Sequence, residues 1–252
     1  MGKKLLVIPD VHGRPFWKKA IKTGNYEKII FLGDYIDPYA YEGIDNQKAI
    51  SNFKDILSLK MFNPDKVILL LGNHDLCYLS DRYRNIAEND RYDYEHEEEI
   101  QQLFRGWSGY FKLAHEENIS RTRYLFSHAG VTMPWLKRNS KIIGKPDAEH
   151  LNLLLDNNVG INTLAQVGQV RGGDYISGSV VWADWEELAK SNPISGTYQV
   201  VGHSMQFDGP VIAEHFACLD CRAAFSIDRK GLIKPVTEIL GYEEYLLSLK
   251  KT

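Results

Sequence analysis

Lys66-Val-Ile-Leu-Leu-Leu-Gly-Asn-His-Asp75 is an apolar run that stops abruptly on small and polar residues. An unbroken run of this length reads as a strand buried on both faces. Gly72-Asn73-His74-Asp75 then places polar chemistry at the strand's carboxyl end, where open α/β sheets bind their ligands. The tetrapeptide alone decides little. Its weight comes from other polar clusters at or just after apolar runs: Asp10-Val-His12, Gly33-Asp34-Tyr-Ile-Asp37, His128-Ala-Gly130 and Gly202-His203-Ser204.

Working outward, Lys4-Leu-Leu-Val-Ile8 and Lys28-Ile-Ile-Phe-Leu32 predict two more strands, each leading into one of those clusters. Pro15 suits a helix start, and residues 16–23 fit a short amphipathic helix ended by Gly24. Asp45 is placed to cap a helix whose apolar residues Ala49, Ile50, Phe53, Ile56 and Leu57 recur at helical spacing. Strand, loop and helix recurring in this way predict a largely parallel sheet with right-handed crossovers.

Residues 77–118 depart from that rhythm. A charged stretch, Asp90 to Glu99, precedes Ile100, Leu103, Phe104, Trp107, Tyr110, Phe111 and Leu113 at helical spacing. The segment reads as a helical insertion leaning over the site, its charge run a solvated face. Further strands are expected at 124–127, 180–184 and 197–201, and two helices across 148–170. A β-meander follows over 210–236 with its turn at Asp228-Arg-Lys-Gly231, and a terminal helix over 242–250. Arg171-Gly-Gly-Asp174 and Ser177-Gly-Ser179 read as loop. No repeat or linker interrupts the chain, so residues 1–252 are read as one domain.

The 252 residues are enough for a sizeable core, and the net charge of −3 gives no reason to expect nucleic-acid binding through a broad basic surface. Three cysteines, Cys77, Cys218 and Cys221, are too few for a disulfide scaffold and read as reduced structural thiols. Cys218-Leu-Asp-Cys221 has no second pair to complete a zinc site. The apolar stretch after Met1-Gly2 is too short for a signal core or membrane span, and Leu6 breaks a myristoylation motif. A cytoplasmic protein with no membrane association is expected.

Asp10, His12, Asp34, Asn73, His128 and His203 are candidate metal ligands. The set mixes oxygens with imidazoles, which suits manganese first, with iron or zinc also acceptable, and is wrong for calcium. Arriving from separate strand ends, these residues can converge on one point. Asp34, with two carboxylate oxygens, is able to bridge two ions, and two ions can clamp the attacking and leaving oxygens of a phosphoryl displacement. His74 is left over as a general acid that needs a carboxylate to hold its tautomer, Asp37 as first choice and Asp75 as second. Arg171 and, less strongly, Arg14 are candidates to fork onto phosphate.

The ordered set D-x-H, G-D-x-x-D, G-N-H-D, lone His and final His resembles the calcineurin-like metallophosphoesterases, within them the branch of the Ser/Thr protein phosphatases and bacterial diadenosine tetraphosphatases. Val181-Trp-Ala-Asp184 is similar to the Trp-Ser-Asp segment that the family carries between its last two histidines. The resemblance spans residues 10–203. It implies an α/β fold of four layers, αββα, in which two packed mixed sheets are flanked by helices and a dinuclear metal site lies at strand ends. It implies that Asp10, His12 and Asp34 hold one ion, that Asp34, Asn73, His128 and His203 hold the second, and that His74, oriented by Asp37, is the catalytic acid. The expected activity is a phosphatase that hydrolyses phosphate esters of proteins, nucleotides or small molecules through water held at the metals. A diadenosine tetraphosphate hydrolase and an inactive phospho-ligand-binding module are the alternatives. Met205 stands where many relatives have a further His ligand, and Pro38 where protein phosphatases carry a phosphate-gripping Arg.

Overall fold

A computed structural model describes residues 4–87 and 89–249. The Met1-Gly2 reading and Lys250, the expected end of the last helix, lie outside the described residues. Strands β1 (Leu5–Ile8), β2 (Lys28–Phe31) and β3 (Val67–Leu70) pair in parallel, Leu5 opposite Lys28 and Ile29 opposite Val67. Short β4 (Phe111–Lys112) extends this sheet beside β3. A second sheet holds β5 (Ala114–Ile119), β6 (Thr122–Ser127), β7 (Thr197–Val201), β8 (Val211–Ile212) and β9 (Phe216–Cys218), in the order β5-β6-β7-β9-β8. The chain then returns to the first sheet with β10 (Phe225–Ile227) and β11 (Ile233–Pro235), giving the order β11-β10-β1-β2-β3-β4.

The continuous apolar runs have a direct explanation. Side chains alternate across a strand, and here both faces are covered. Leu6, Ile8, Ile29, Phe31, Val67 and Leu69 face a helix-lined core that includes Ile50, Phe53 and Leu57 of the helix Asn46–Phe62. Leu5, Val7, Ile30, Ile68 and Leu70 face the second sheet, meeting Phe126, Val200 and Ala217. On the far side of that sheet Leu188, from the helix Trp185–Lys190, packs on Val201, Phe216 and Cys218. The four-layer αββα arrangement follows from these three apolar clusters. All three cysteines are free and buried, and among the described residues no helix is long and apolar enough to cross a membrane.

Asp45 accepts from the Lys48 amide and caps its helix as expected. Three expectations need correction. The apolar spacing of 100–113 does not continue one helix: Glu97–Gly106 ends there, and Phe111 and Leu113 belong to the β4–β5 region, where Phe111 is buried under the rings of Phe53 and Phe104. Buried aromatics at mixed spacing satisfy either period, and the strand wins because β4 completes the edge of the sheet. Val180–Trp182 is a turn rather than a strand, closed by the Trp182 amide on the Ser179 carbonyl at 2.9 Å. The expected meander over 210–236 is two hairpins in different sheets, joined by the crossing segment 219–224. The turn near Gly231 stands, with the Gly231 amide on the Asp228 carbonyl at 3.0 Å.

Candidate metal centre and active site

The carboxyl ends of β1, β2 and β3 meet those of β6 and β7, and every candidate ligand follows one of these ends. Two groups of ligand atoms result, Asp10–His12–Asp34 and Asp34–His128–His203, the atoms of each lying within 4.8 Å of one another. Asp34 belongs to both. Asn73 joins the second, its Oδ1 3.0 Å from His128 Nε2.

The backbone forces the convergence. His12, Asp34, Asp37 and His203 all hold positive φ, between 44° and 66°, a region that non-glycine residues rarely enter and that clusters at functional sites. Carboxylates occupy space that side chains elsewhere would fill. A Cβ on Gly72 would lie 2.0 Å from Asp34 Oδ1, and one on Gly202 the same distance from Asp10 Oδ2. Asp10 is fixed further by the His203 amide, which donates to both its oxygens at 2.9 Å.

The imidazoles are oriented as ligands. His12 Nδ1 lies 3.0 Å from the Ile36 carbonyl and His128 Nδ1 2.9 Å from the Leu32 carbonyl. A carbonyl only accepts, so each Nδ1 carries the proton and each Nε2 turns its lone pair toward the carboxylates. His128 Nε2 then faces Asn73 Oδ1, His203 Nδ1 at 3.1 Å and Asp34 Oδ2 at 3.5 Å. His203 Nε2 is buried with no hydrogen-bond partner. Acceptor atoms crowded together with few protons between them call for a cation. Burial, then the Arg91 charge for His12 and the Arg171 charge for His203, keeps both rings well below the usual imidazole pKa, in the neutral form that ligates metal. Burial likewise drives the Asp34 carboxyl well upward, with Asp75 and Asp10 adding to it, and a bound cation would oppose that rise. The donor set therefore fits a metal centre.

His74 stands at the rim. Its Nδ1 donates to Asp37 Oδ2 at 2.8 Å. Asp37, fully buried, also accepts from the Tyr78 hydroxyl at 2.5 Å and from the Asn89 side chain. Asp75 is not near the ring's working nitrogens. It accepts the amides of Gly72, Asp34 and Tyr35 at 2.7–2.9 Å, clamping the β2 loop to the start of the helix Asn73–Leu79. Those bonds favour its anion, yet burial dominates and pushes its pKa up to about 6.

The two arginines named from the sequence part company. Arg171 lines a cavity of about 720 Å³ over the cluster, held by Asp184 at 2.9 Å, by Ser204 Oγ and by the His203 carbonyl. Arg14 lies behind the site, buried, with its fork closed on Glu42 at 2.7 and 2.8 Å, and its Nη1 on the Asp10 carbonyl. It does not line the cavity, and its place is one of support for the Asp10 loop. Trp182 and Asp184 sit beside His203, Trp182 edge-on to its ring at 5.6 Å.

Residues the sequence did not single out complete the rim. Arg91 and Asn89 reach in from the 85–96 loop, and Tyr39 faces His12 edge-on at 5.1 Å. Behind the rim, the buried Asp37 partner Tyr78 carried a usable signal, standing four residues after His74 on one helix face.

Residues 3–207 match the model of the family described as calcineurin-like phosphoesterase. A probable serine/threonine-protein phosphatase of Encephalitozoon cuniculi is 32% identical over 83 residues, which are 32% of this chain and 17% of that protein's length. Solved structures that share the fold include two phosphatases. A serine/threonine protein phosphatase of Saccharomyces cerevisiae superposes with a TM-score of 0.52 at 15% identity, covering 95% of this chain and 81% of its own. A cold-active protein tyrosine phosphatase gives the same score and identity over 94% and 81%.

Proposed function

Because the chain belongs to the calcineurin-like phosphoesterases, and so is a phosphoric ester hydrolase, we propose that it is a two-metal phosphatase of the serine/threonine phosphatase kind, acting in the cytoplasm on phosphorylated substrates. The observation that carries this reading is the sharing of Asp34 between two ligand groups. Asp10, His12 and Asp34 would hold one cation, and Asp34, Asn73, His128 and His203 the other, with manganese preferred by the mixed oxygen and imidazole set. Two such ions would supply positive charge against the phosphoryl oxygens and would lower the pKa of a bound water.

The chain's own residues do the rest. Asp37 fixes the Nδ1–H tautomer of His74, so the ring presents Nε2 to the cavity. From there His74, when protonated at Nε2 as the imidazolium that the Asp37 carboxylate offsets, delivers that proton to the leaving oxygen. Arg171, on the opposite wall, orients phosphate oxygens. The whole of 1–252 serves as one catalytic domain, and of the segment 77–118 it is the 85–96 loop that shapes access, since β4 and β5 belong to the sheets.

The test is p-nitrophenyl phosphate hydrolysis by metal-stripped protein with and without added manganese. Turnover restored by manganese is the expected result. Binding of a phospho-ligand at saturating manganese without turnover of any ester would replace the enzyme with a binding module. A dinucleoside polyphosphate hydrolase is the second reading, favoured by Tyr39, Tyr92, Tyr94 and Trp182 around a cavity with room for a base. Rates on diadenosine tetraphosphate against a phosphoprotein separate the two.

A further inference from the structure

We infer that Arg91, on the 85–96 loop, is a second phosphate-gripping cation of this site beside Arg171, and that in the free protein its guanidinium covers the nitrogen through which His74 acts. The inference rests on the phosphoesterase reading and names the residue that recruits its substrate.

Three arginines line the cavity, and they differ in how their charge is met. Arg84 is paired with Glu97 and lies over the Tyr92 ring. Arg171 is paired with Asp184 at 2.9 Å. Among the described residues Arg91 has only Asp90, 3.9 Å away on a side chain 90% exposed. Its guanidinium lies over the Tyr39 ring at 3.8 Å, with Nη1 on the Asp37 carbonyl and Nη2 3.0 Å from His74 Nε2. Among the described residues Arg91 is thus the lining arginine whose charge is least closely met by a carboxylate, and it stands beside the metal cluster. Position 38, a proline, offers no donor at this corner.

The contact with His74 adds the second half. For His74 to act on it, the leaving oxygen must come within hydrogen-bond reach of Nε2. That place is held by Arg91 Nη2, so the oxygen must displace it. The displaced guanidinium then needs an acceptor, and the same substrate brings one in its non-bridging phosphate oxygens. A charged oxygen is a stronger partner for a guanidinium than a neutral imidazole nitrogen. Tyr39 keeps the side chain in reach through the exchange, since stacking on a ring face tolerates in-plane movement.

The experiment measures inorganic phosphate affinity in manganese-loaded wild type, Arg91→Ala and Arg91→Lys. It uses calorimetry and competitive inhibition of p-nitrophenyl phosphate hydrolysis, with metal content checked for each protein. Loss of one charge-assisted fork predicts that the alanine variant weakens phosphate binding and raises KM together, roughly 10- to 100-fold, with metal content unchanged. Lysine keeps the charge but not the fork and should recover part of the loss. A merely structural arginine would not move phosphate affinity at constant metal content. Wild-type phosphate affinity in Arg91→Ala overturns the inference. Phosphate binding without turnover in the wild type, lost in Arg91→Ala, upholds it while removing the phosphatase reading. A wild type that neither binds nor hydrolyses overturns both.

Discussion

The strand-end ligands and the 85–96 loop form two walls of one cavity, and they are built by opposite means. On the strand side, geometry is imposed by the backbone. Strained φ values aim the side chains, carbonyls of Leu32 and Ile36 set the imidazole tautomers, and Gly72 and Gly202 leave room for carboxylates. On the loop side, long side chains reach in from a distance: Asn89 to Asp37, Arg91 to Asp37 and His74. The first wall is rigid and suits ions, which demand fixed donors. The second is adjustable and suits a substrate, which must enter and leave. The comparison is most exposed to failure at Asp34, the one carboxylate common to both ligand groups. Asp34→Ala should empty both metal positions and abolish turnover, a larger loss than the roughly 10–100-fold fall in metal affinity that follows removal of an outer-shell partner. Metal analysis of the purified variant checks it; one ion retained at full affinity would mean that the two groups are independent.

The same contrast explains what could be read from the sequence. Asp10, His12, Asp34, Asn73, His128 and His203 were legible because each sits a fixed few residues beyond an apolar run, and strand ends in such a sheet converge. Arg91 was not legible. It lies in the charged stretch Asp90 to Glu99, where nothing in spacing separates a residue turned into the cavity from one turned to solvent. Arg14 shows the reverse error. It lies near a ligand motif in sequence, but a buried guanidinium needs a carboxylate, and Glu42 claims it. In the fold, runs buried on both faces announced themselves, whereas β4 was hidden by aromatics that fit a helix equally well until the sheet edge is known, and β5, Ala114–Ile119, by its polar middle.

His74 lies between the two walls, held by Asp37 on one side and touched by Arg91 on the other. If its part is proton delivery alone, His74→Ala should lower kcat roughly 10²- to 10⁴-fold and leave metal content intact. The defect should shrink with p-nitrophenyl phosphate, whose leaving group needs a proton least, relative to an alkyl phosphate. An equal loss on both esters would make His74 a binding residue and move it wholly to the substrate wall.

Asp75 gives the smallest effect on turnover and the finest test of the division. It is adjacent to His74 in sequence and is a carboxylate, so it competes with Asp37 for the orienting role. In the structure it accepts three amides and ties the Asp34 loop to the helix start. Asp75→Asn keeps the shape but turns an amide NH2 donor onto one or more of those N–H groups, stranding a buried donor at a cost of about 1–3 kcal/mol. For a chain of this size that lowers Tm by roughly 2–4 °C for each kcal/mol. Because the clamp positions a ligand rather than a reacting atom, the manganese concentration needed for half-activity should rise about tenfold, while kcat at saturating manganese stays near that of the wild type. A kcat that falls as far as in His74→Ala, with Tm unchanged, would instead make Asp75 the partner of His74. The rigid wall would then extend into the proton path.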